Sequence, residues 1–322
     1  MTTFSIIIPV KSLNDYVDQT VDCIIKLEFH SWELIIVTNN PETNKWSFDS
    51  RIAIIESGRV GPGDKRDIGA KVASGEILVF LDDDSYPKSD FLNIANEHFK
   101  DENIHAIGGP GITPEKNSFL QKVSGAVFLS KFSGGFPERY ISMGKKKFVD
   151  DWPSVNLMVR KTIFDSIGGF NTKFWPGEDT ILCSKIDKIL YEPRMIVWHH
   201  RRKNLYQHLK QVSAYGLHRG FFVKKFPKNS RKLLFFIPSM FFIFTNISLF
   251  YFYLPESFQL SIKAGYVLYF MVLTFAFIQI SKLENLLISI FAVMYSIPSH
   301  YFYGLNFLYG LFFKKNLVSR LR

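Results

Sequence analysis

Residues 76–87, EILVFLDDDSYP, end an apolar run on three consecutive aspartates. Adjacent carboxylates repel, so either a cation favours the arrangement or water screens it. A solvated turn capping the next helix needs only one side-chain oxygen. Three carboxylates at a strand end can do more. They can hold a hard divalent cation, which prefers oxygen ligands and leaves positions open for phosphate. A metal bridging a diphosphate both binds that ligand and stabilises negative charge on a departing nucleoside diphosphate. Mg2+ or Mn2+ is therefore expected to offset the repulsion among Asp82, Asp83 and Asp84.

Two more stretches carry residue types suited to such a ligand. In GPGDKRDIGAK, residues 61–71, a Gly-rich turn leads into a helix with Lys65 and Arg66 in its first turns. The turn frees backbone N–H groups for an anion, and the two side chains add positive charge. Read alone, it is equally a loop before an amphipathic helix with solvated bases. Its spacing has neither the Walker nor the dinucleotide-binding pattern, so ATP hydrolysis and NAD binding gain no support. In WPGEDTILCSKI, residues 175–186, Asp179 is either the N-cap of an apolar helix or a carboxylate placed to take a proton from a hydroxyl.

The elements that must position these groups alternate. Short β-rich runs at 4–10, 33–38, 52–56 and 77–81 are separated by helical patterns at 15–28, 65–74 and 89–100. That alternation predicts an α/β fold with a mostly parallel sheet covered on both faces. Ligands in such sheets bind beyond the carboxyl ends of the strands, where the three aspartates fall.

Composition divides the 322 residues into a soluble part and an apolar part. The stretches 233–254, 264–281 and 285–313 contain no charged residue. Each approaches or exceeds the ~20 residues that cross a bilayer as helix. Between 199 and 232 there are ten Lys or Arg and no acid, whereas 23 bases face 27 acids before it. Such a band is drawn to the anionic lipids of the cytoplasmic leaflet and fixes orientation by the positive-inside rule. Three apolar spans beside it argue against nucleic acid. The expected divisions are a catalytic domain at 1–198, a basic juxtamembrane segment at 199–232 and a helical membrane region at 233–322. Positions 205, 209, 212 and 215 make the basic segment an interfacial helix. Three full spans would leave the tail KKNLVSRLR outside, so two spans and a third, bent element at 285–313, around Pro298, are expected. MTTFSIIIPV lacks a basic start and a cleavage site, so the soluble part is expected in the cytoplasm. Cys23 and Cys183 have no metal-ligand spacing and read as reduced core residues.

The motifs also occur in a recognisable order: SIIIPV, ELIIV, GPGDKRDIGAKVASGEILVFLDDDSYP and NLMVRKTIFDSIGGFNTKFWPGEDT. As a set they resemble family 2 glycosyltransferases of the GT-A fold over the first 225 residues or so. The resemblance implies that Pro9 and Val10 lie by the nucleotide base, with Arg66 near the nucleotide. Asp82, Asp83 and Asp84 form the Asp-x-Asp-type metal site, and His199 or His200 could complete it. Glu178 and Asp179 are similar to the family's Glu-Asp pair, whose aspartate acts as catalytic base, and Glu178 would support it or touch the acceptor. A single displacement with inversion follows. Residues 150–161, DDWPSVNLMVRK, are expected to floor the acceptor site with Asp151 and Trp152. Trp152 offers a flat face to a sugar ring, or else fills the core.

The chain departs from the family in two places. Thr38, Asn39 and Asn40 stand where most members carry acidic residues that contact the base or ribose, which loosens the choice of base although a uridine donor leads. QVSAY keeps Gln211 of the processive synthases' Gln-x-x-Arg-Trp motif but has Ala214 and Tyr215 in place of Arg and Trp, so processivity is not expected. Sugar-nucleotide pyrophosphorylases are disfavoured, because IIIPVKSLND has no Gly. The expected protein is a membrane-bound, metal-dependent enzyme moving one sugar from a nucleoside diphosphate sugar to a lipid-linked saccharide. The reading from another class is an inactive membrane scaffold of glycan assembly, which would tolerate loss of the aspartates.

Overall fold

The computed structural model describes residues 3–40 and 43–317. Contacts divide the chain into two units: one runs to Ile112 and resumes over Ile141–His200, the other comprises Thr113–Tyr140 and Arg201–Leu317. The second unit thus takes Thr113–Tyr140 out of the linear stretch 1–198 and joins the basic segment to the apolar helices.

The first unit begins with β1 (Phe4–Pro9), α1 (Asp15–Ile25), β2 (Trp32–Thr38), β3 (Ile52–Glu56), α2 (Pro62–Val72) and β4 (Ile77–Leu81). It continues through β5 (Ser85–Pro87), α3 (Phe91–His98), β6 (Ala106–Gly108) and β7 (Gly111–Ile112). After α4 (Phe119–Ala126), which belongs to the second unit, come β8 (Lys147–Val149), β9 (Asn156–Arg160), α5 (Lys161–Ser166), α6 (Glu178–Ser184), β10 (Ile189–Tyr191) and β11 (Val197–His199). The second unit resumes with α7 (Leu205–Lys225), α8 (Pro227–Ser230), α9 (Ile237–Ser248), α10 (Glu256–Ile280) and α11 (Leu286–Leu308).

The strand order β3-β2-β1-β4-β9-β6-β10-β8 forms one sheet, and β5-β11-β7 a smaller one. The first four strands are parallel, as expected. Because β9 runs antiparallel to both β4 and β6, and β8 to β10, the whole sheet is mixed. Apolar runs that do not alternate are what a sheet covered on both faces requires. Ile6 and Ile8 of β1 pack with Val17, Val21 and Ile24 of α1, whereas Ile7 packs on the opposite side with Ala70, Phe80 and Leu182. All five residues of β4 are buried, at about 1.5–3 kcal/mol per large apolar side chain. The strand that ends at the aspartates is therefore a rigid mount. Cys23 and Cys183 are thiols not joined in a disulfide, and Cys183, which is buried, donates to the Trp152 carbonyl at 3.4 Å.

In the second unit two helical stretches, Glu256–Ser281 and Leu286–Phe313, are long and apolar enough to cross a membrane by length and composition. On α10, Phe258, Leu260, Val267, Leu268, Phe270 and Phe275 are each more than half exposed. The bent element expected at 285–313 is instead one helix that runs through Pro298 and closes in a wider turn at Tyr309–Phe313. It is the stretch 233–254 that falls short: its helix α9 has 12 residues. At 1.5 Å per residue those cover about 18 Å, less than a bilayer's hydrocarbon core of about 30 Å. Part of the tail KKNLVSRLR lies outside the described residues.

The expected interfacial helix takes a different form. The buried face of α7 carries His208, Val212, Gly216, Gly220 and Val223, and it packs on α11. A Cβ at Gly216 or Gly220 would collide with the main chain of Tyr303 or Phe307, so the small-xxx-small spacing sets how closely the helices approach. His208 also ties α4 into this unit. Its Nδ1 lies 2.8 Å from Ser124 Oγ and its Nε2 3.0 Å from Ser299 Oγ. Burial, with help from Arg202, pushes its pKa down to about 4, so the ring is neutral and uses one nitrogen as donor and one as acceptor. Gln211 donates to the hydroxyl of Tyr215 at 2.9 Å.

Candidate active site

The chain leaves the sheet at Asp82, directly after Leu81, which pairs with Asn156 of β9. A tight turn follows: the Asp82 N–H donates to Ser85 Oγ at 3.1 Å, and the Ser85 hydroxyl and N–H return to the Asp82 carbonyl. Ser85 then pairs with His199 across the antiparallel β5–β11 ladder. That pairing sets His199 Nε2 3.1 Å from Asp84 Oδ1. Asp82, Asp84 and His199 each offer a ligand atom, and the three atoms lie within 4.8 Å of one another. Two carboxylates and an imidazole are a donor set that Mg2+ or Mn2+ accepts. Burial and the charges of Asp84 and Asp82 push the Asp83 carboxyl up to about 7, against a hydrogen bond from Asn14. This is the crowding of negative charge that a divalent cation relieves.

His200, the other candidate ligand, turns elsewhere. Its Nε2 lies 2.9 Å from Gln19 Oε1 and its ring packs 4.6 Å from that of Tyr16 on α1. Its main-chain N–H serves the acidic turn, donating to the Asp84 carbonyl at 2.9 Å.

The Gly-rich turn begins a helix earlier than expected. Gly61 is the N-cap, Pro62 the first helical residue, and the Asp64 carboxylate accepts the Gly61 N–H at 3.3 Å. Lys65 and Arg66 consequently point inward and are 4% and 2% exposed, which rules out solvated bases. Lys65 Nζ donates to the Val10 carbonyl. Burial pulls its pKa down to about 8, with Asp83 opposing. Arg66 is a bridge: Nη2 contacts Asp82 Oδ1 at 2.5 Å and Nη1 contacts Glu178 Oε1 at 3.0 Å. Burial would lower its pKa, but Asp82 and Glu178 hold it above its ordinary value. Glu178 is itself pushed up by burial and by the charge of Asp179, despite Arg66.

Arg66→Gln should therefore cost stability before it costs chemistry. It would strand the buried Glu178 carboxylate without its cation, a loss of about 3 kcal/mol or more. Denaturant unfolding should show it, and Arg66→Gln with Glu178→Gln should recover part of the loss. Equal stability of wild type and single variant would refute the bridge.

Helix α6 starts at Glu178 with Gly177, at φ +112°, as N-cap. Asp179 is thus the second helical residue, so the N-cap reading of it does not hold. Its Oδ1 accepts the Thr180 N–H at 2.8 Å, and its side chain is only partly buried, unlike that of Glu178.

Residues 5–168, half of the chain, match the family model Glycosyl transferase family 2. The chain belongs to glycosyltransferase family 2. It is 24% identical over 218 residues to the dolichyl N-acetyl-alpha-D-glucosaminyl phosphate 3-beta-D-2,3-diacetamido-2,3-dideoxy-beta-D-glucuronosyltransferase of Methanococcus voltae, covering 65% of this chain and 61% of that one. It is 27% identical over 195 residues to the O-antigen biosynthesis protein RfbC of Myxococcus xanthus, covering 53% and 15%. The chain spans less than two thirds of the length of these curated relatives. Among solved structures it resembles the mannosyltransferase PcManGT of Pyrobaculum calidifontis in complex with GDP-Man and Mn2+, with a TM-score of 0.55, 13% identity and coverage of 98% and 88%. That likeness shows a shared GT-A-like α/β fold.

In this family 2 glycosyltransferase the remaining expected site residues divide. Pro9 and Val10 at the end of β1, and Asn39 just past β2, stand at the same strand ends as Asp82, since β1 pairs in parallel with both β2 and β4. Thr38 is fully buried, and its hydroxyl donates to the Asn40 carbonyl at 2.6 Å rather than facing a ligand. Trp152 is a core residue, not a sugar platform. It is 1% exposed, its indole N–H donates to the Gly109 carbonyl at 2.9 Å, and its ring packs 4.9 Å from Tyr191. Asp151 beside it is buried as well.

Asp67 was not legible as a site residue. Its two carboxylate oxygens accept the N–H groups of Phe170 and Asn171, each at 2.9 Å. It thereby fixes the turn of Gly168, Gly169 and Asn171, all at positive φ, that leads towards α6. The signal was the Gly-Gly pair, which marks a left-handed turn whose backbone donors need a partner.

Proposed function

We propose that this family 2 chain is a metal-dependent, inverting glycosyltransferase that moves one sugar from a nucleoside diphosphate sugar to a lipid-linked saccharide. The gathering of Asp82, Asp84 and His199 at the end of β4, tied through Arg66 to the Glu178–Asp179 pair, carries the reading. The first unit is the catalytic one. Asp82, Asp84 and His199 would hold Mg2+ or Mn2+, which supplies positive charge against the diphosphate when bound. Asp179, partly open to solvent, takes the proton of an acceptor hydroxyl as its oxygen bonds to the anomeric carbon. The bond to the diphosphate breaks on the opposite face, its electron pair leaves with the diphosphate, and the configuration inverts. Glu178, buried against Arg66, positions Asp179.

A structural relative in complex with GDP-Man and Mn2+ supports the donor class and the cation. The Methanococcus voltae relative acts on a dolichyl phosphate-linked sugar, which supports a lipid-linked acceptor. The exposed apolar face of α10 and the ten bases at 199–232 support a cell-membrane location, with the catalytic unit in the cytoplasm and lipids as partners. Anchoring raises the effective concentration of an amphipathic acceptor. Uridine, guanosine and thymidine diphosphate sugars, offered with Mn2+ and lipid extract, should show nucleotide release led by the uridine series. Release from none of them would favour the scaffold.

A further inference from the structure

Residues 142–148, SMGKKKF, are consecutive exposed positions on the first unit. Three lysines in a row lie between Met143, 43% exposed, and Phe148, 61% exposed, with no acid among them. The stem of this tip is fixed. The Tyr191 hydroxyl donates to the Met143 carbonyl at 2.9 Å, and the Ser142 hydroxyl donates to the Pro193 carbonyl at 2.7 Å. Gly144, at φ +74°, turns the chain into β8, an outer strand of the large sheet. Along that strand Val149 packs against the core, so strand alternation turns Phe148 to the other face.

Lysines on an edge strand are a known guard against strand addition, and that role would account for the charges. It does not account for two large apolar side chains held out in water beside them. Apolar tips flanked by long basic side chains, whose stems lie along the apolar surface while the ammonium groups reach outward, match the chemistry of a bilayer's headgroup boundary.

We propose that residues 142–148 form a membrane-contact site that inserts Phe148 and Met143 beside anionic lipid headgroups bound by Lys145 and Lys146. This rests on the membrane location proposed above and assigns it a surface on the catalytic unit. Two lysines near an anionic surface, at about 1 kcal/mol each, favour contact by roughly 30-fold over a neutral one. The site would press the catalytic unit onto the leaflet where an amphipathic acceptor lies.

The test uses the full chain reconstituted into phosphatidylcholine vesicles with or without phosphatidylglycerol. Phe148→Trp adds one indole to the five native ones, whose emission is subtracted using the wild type. The added emission should shift to the blue and be quenched by brominated acyl chains only when phosphatidylglycerol is present. Both effects should be lost when Lys145→Glu and Lys146→Glu are introduced with it. Identical spectra in the two lipids, or survival of the shift after charge reversal, would overturn the proposal. Suppression of the shift by inorganic pyrophosphate would overturn it too, pointing to a phosphate pocket instead. Vesicle flotation separates the two readings: a chain that floats without the signal refutes only this site, and one that does not float refutes the membrane location as well.

Discussion

Asp84→Asn is expected to abolish sugar transfer while leaving the protein folded. The side chain of Asp84 lies with Asp82 and His199 in the one constellation of three ligand atoms found among the described residues. An amide cannot supply the anionic oxygen that a hard cation requires. A cation set against a departing diphosphate is worth several kcal/mol, so transfer should fall by about 10³-fold or more. The fold should survive, because the main-chain carbonyl of Asp84, not its carboxylate, receives the His200 N–H. Calorimetric titration should show weakened Mn2+ binding, and circular dichroism an unchanged spectrum. Undiminished transfer in EDTA would remove the metal from the reaction.

Asp179→Asn should separate chemistry from binding. Donor and Mn2+ should bind with near-native affinity, since the ligand atoms for the cation would come from Asp82, Asp84 and His199. Turnover should fall by roughly 10²–10⁴, the usual worth of a general base. A merely helical role predicts something else. Gly177 caps α6, so Asp179 would contribute only a favourable charge in the first turn, about 0.3–1 kcal/mol of stability, with no effect on transfer at saturating acceptor. Near-native transfer by the Asn variant would leave Glu178 or Asp151 as the next base. Both are nearly fully buried, so either would need the site to open.

The sequence by itself determined the four parallel strands of the sheet, the acidic strand end and the family. Apolar runs such as Ile6–Ile8 and Ile77–Leu81 leave little choice but strands buried on both faces, and the first polar residue after such a run must stand at the strand's end. Position along the chain therefore placed the aspartates. It did not say which partners they would meet. His199 reaches Asp84 through a β5–β11 pairing that spans more than a hundred residues, and nothing in VWHH distinguishes the first histidine from the second. Likewise no spacing rule joins Arg66 to Glu178, or Asp67 to the turn before α6, because both contacts depend on how α2 lies across the sheet. Burial decided the rest. Trp152 and Thr38 have side chains suited to a sugar or a nucleotide, but packing had already committed the indole to Gly109 and the hydroxyl to Asn40. A residue's chemistry is fixed by its type, whereas its availability is fixed by which neighbours satisfy it first. Only the tertiary structure could decide that.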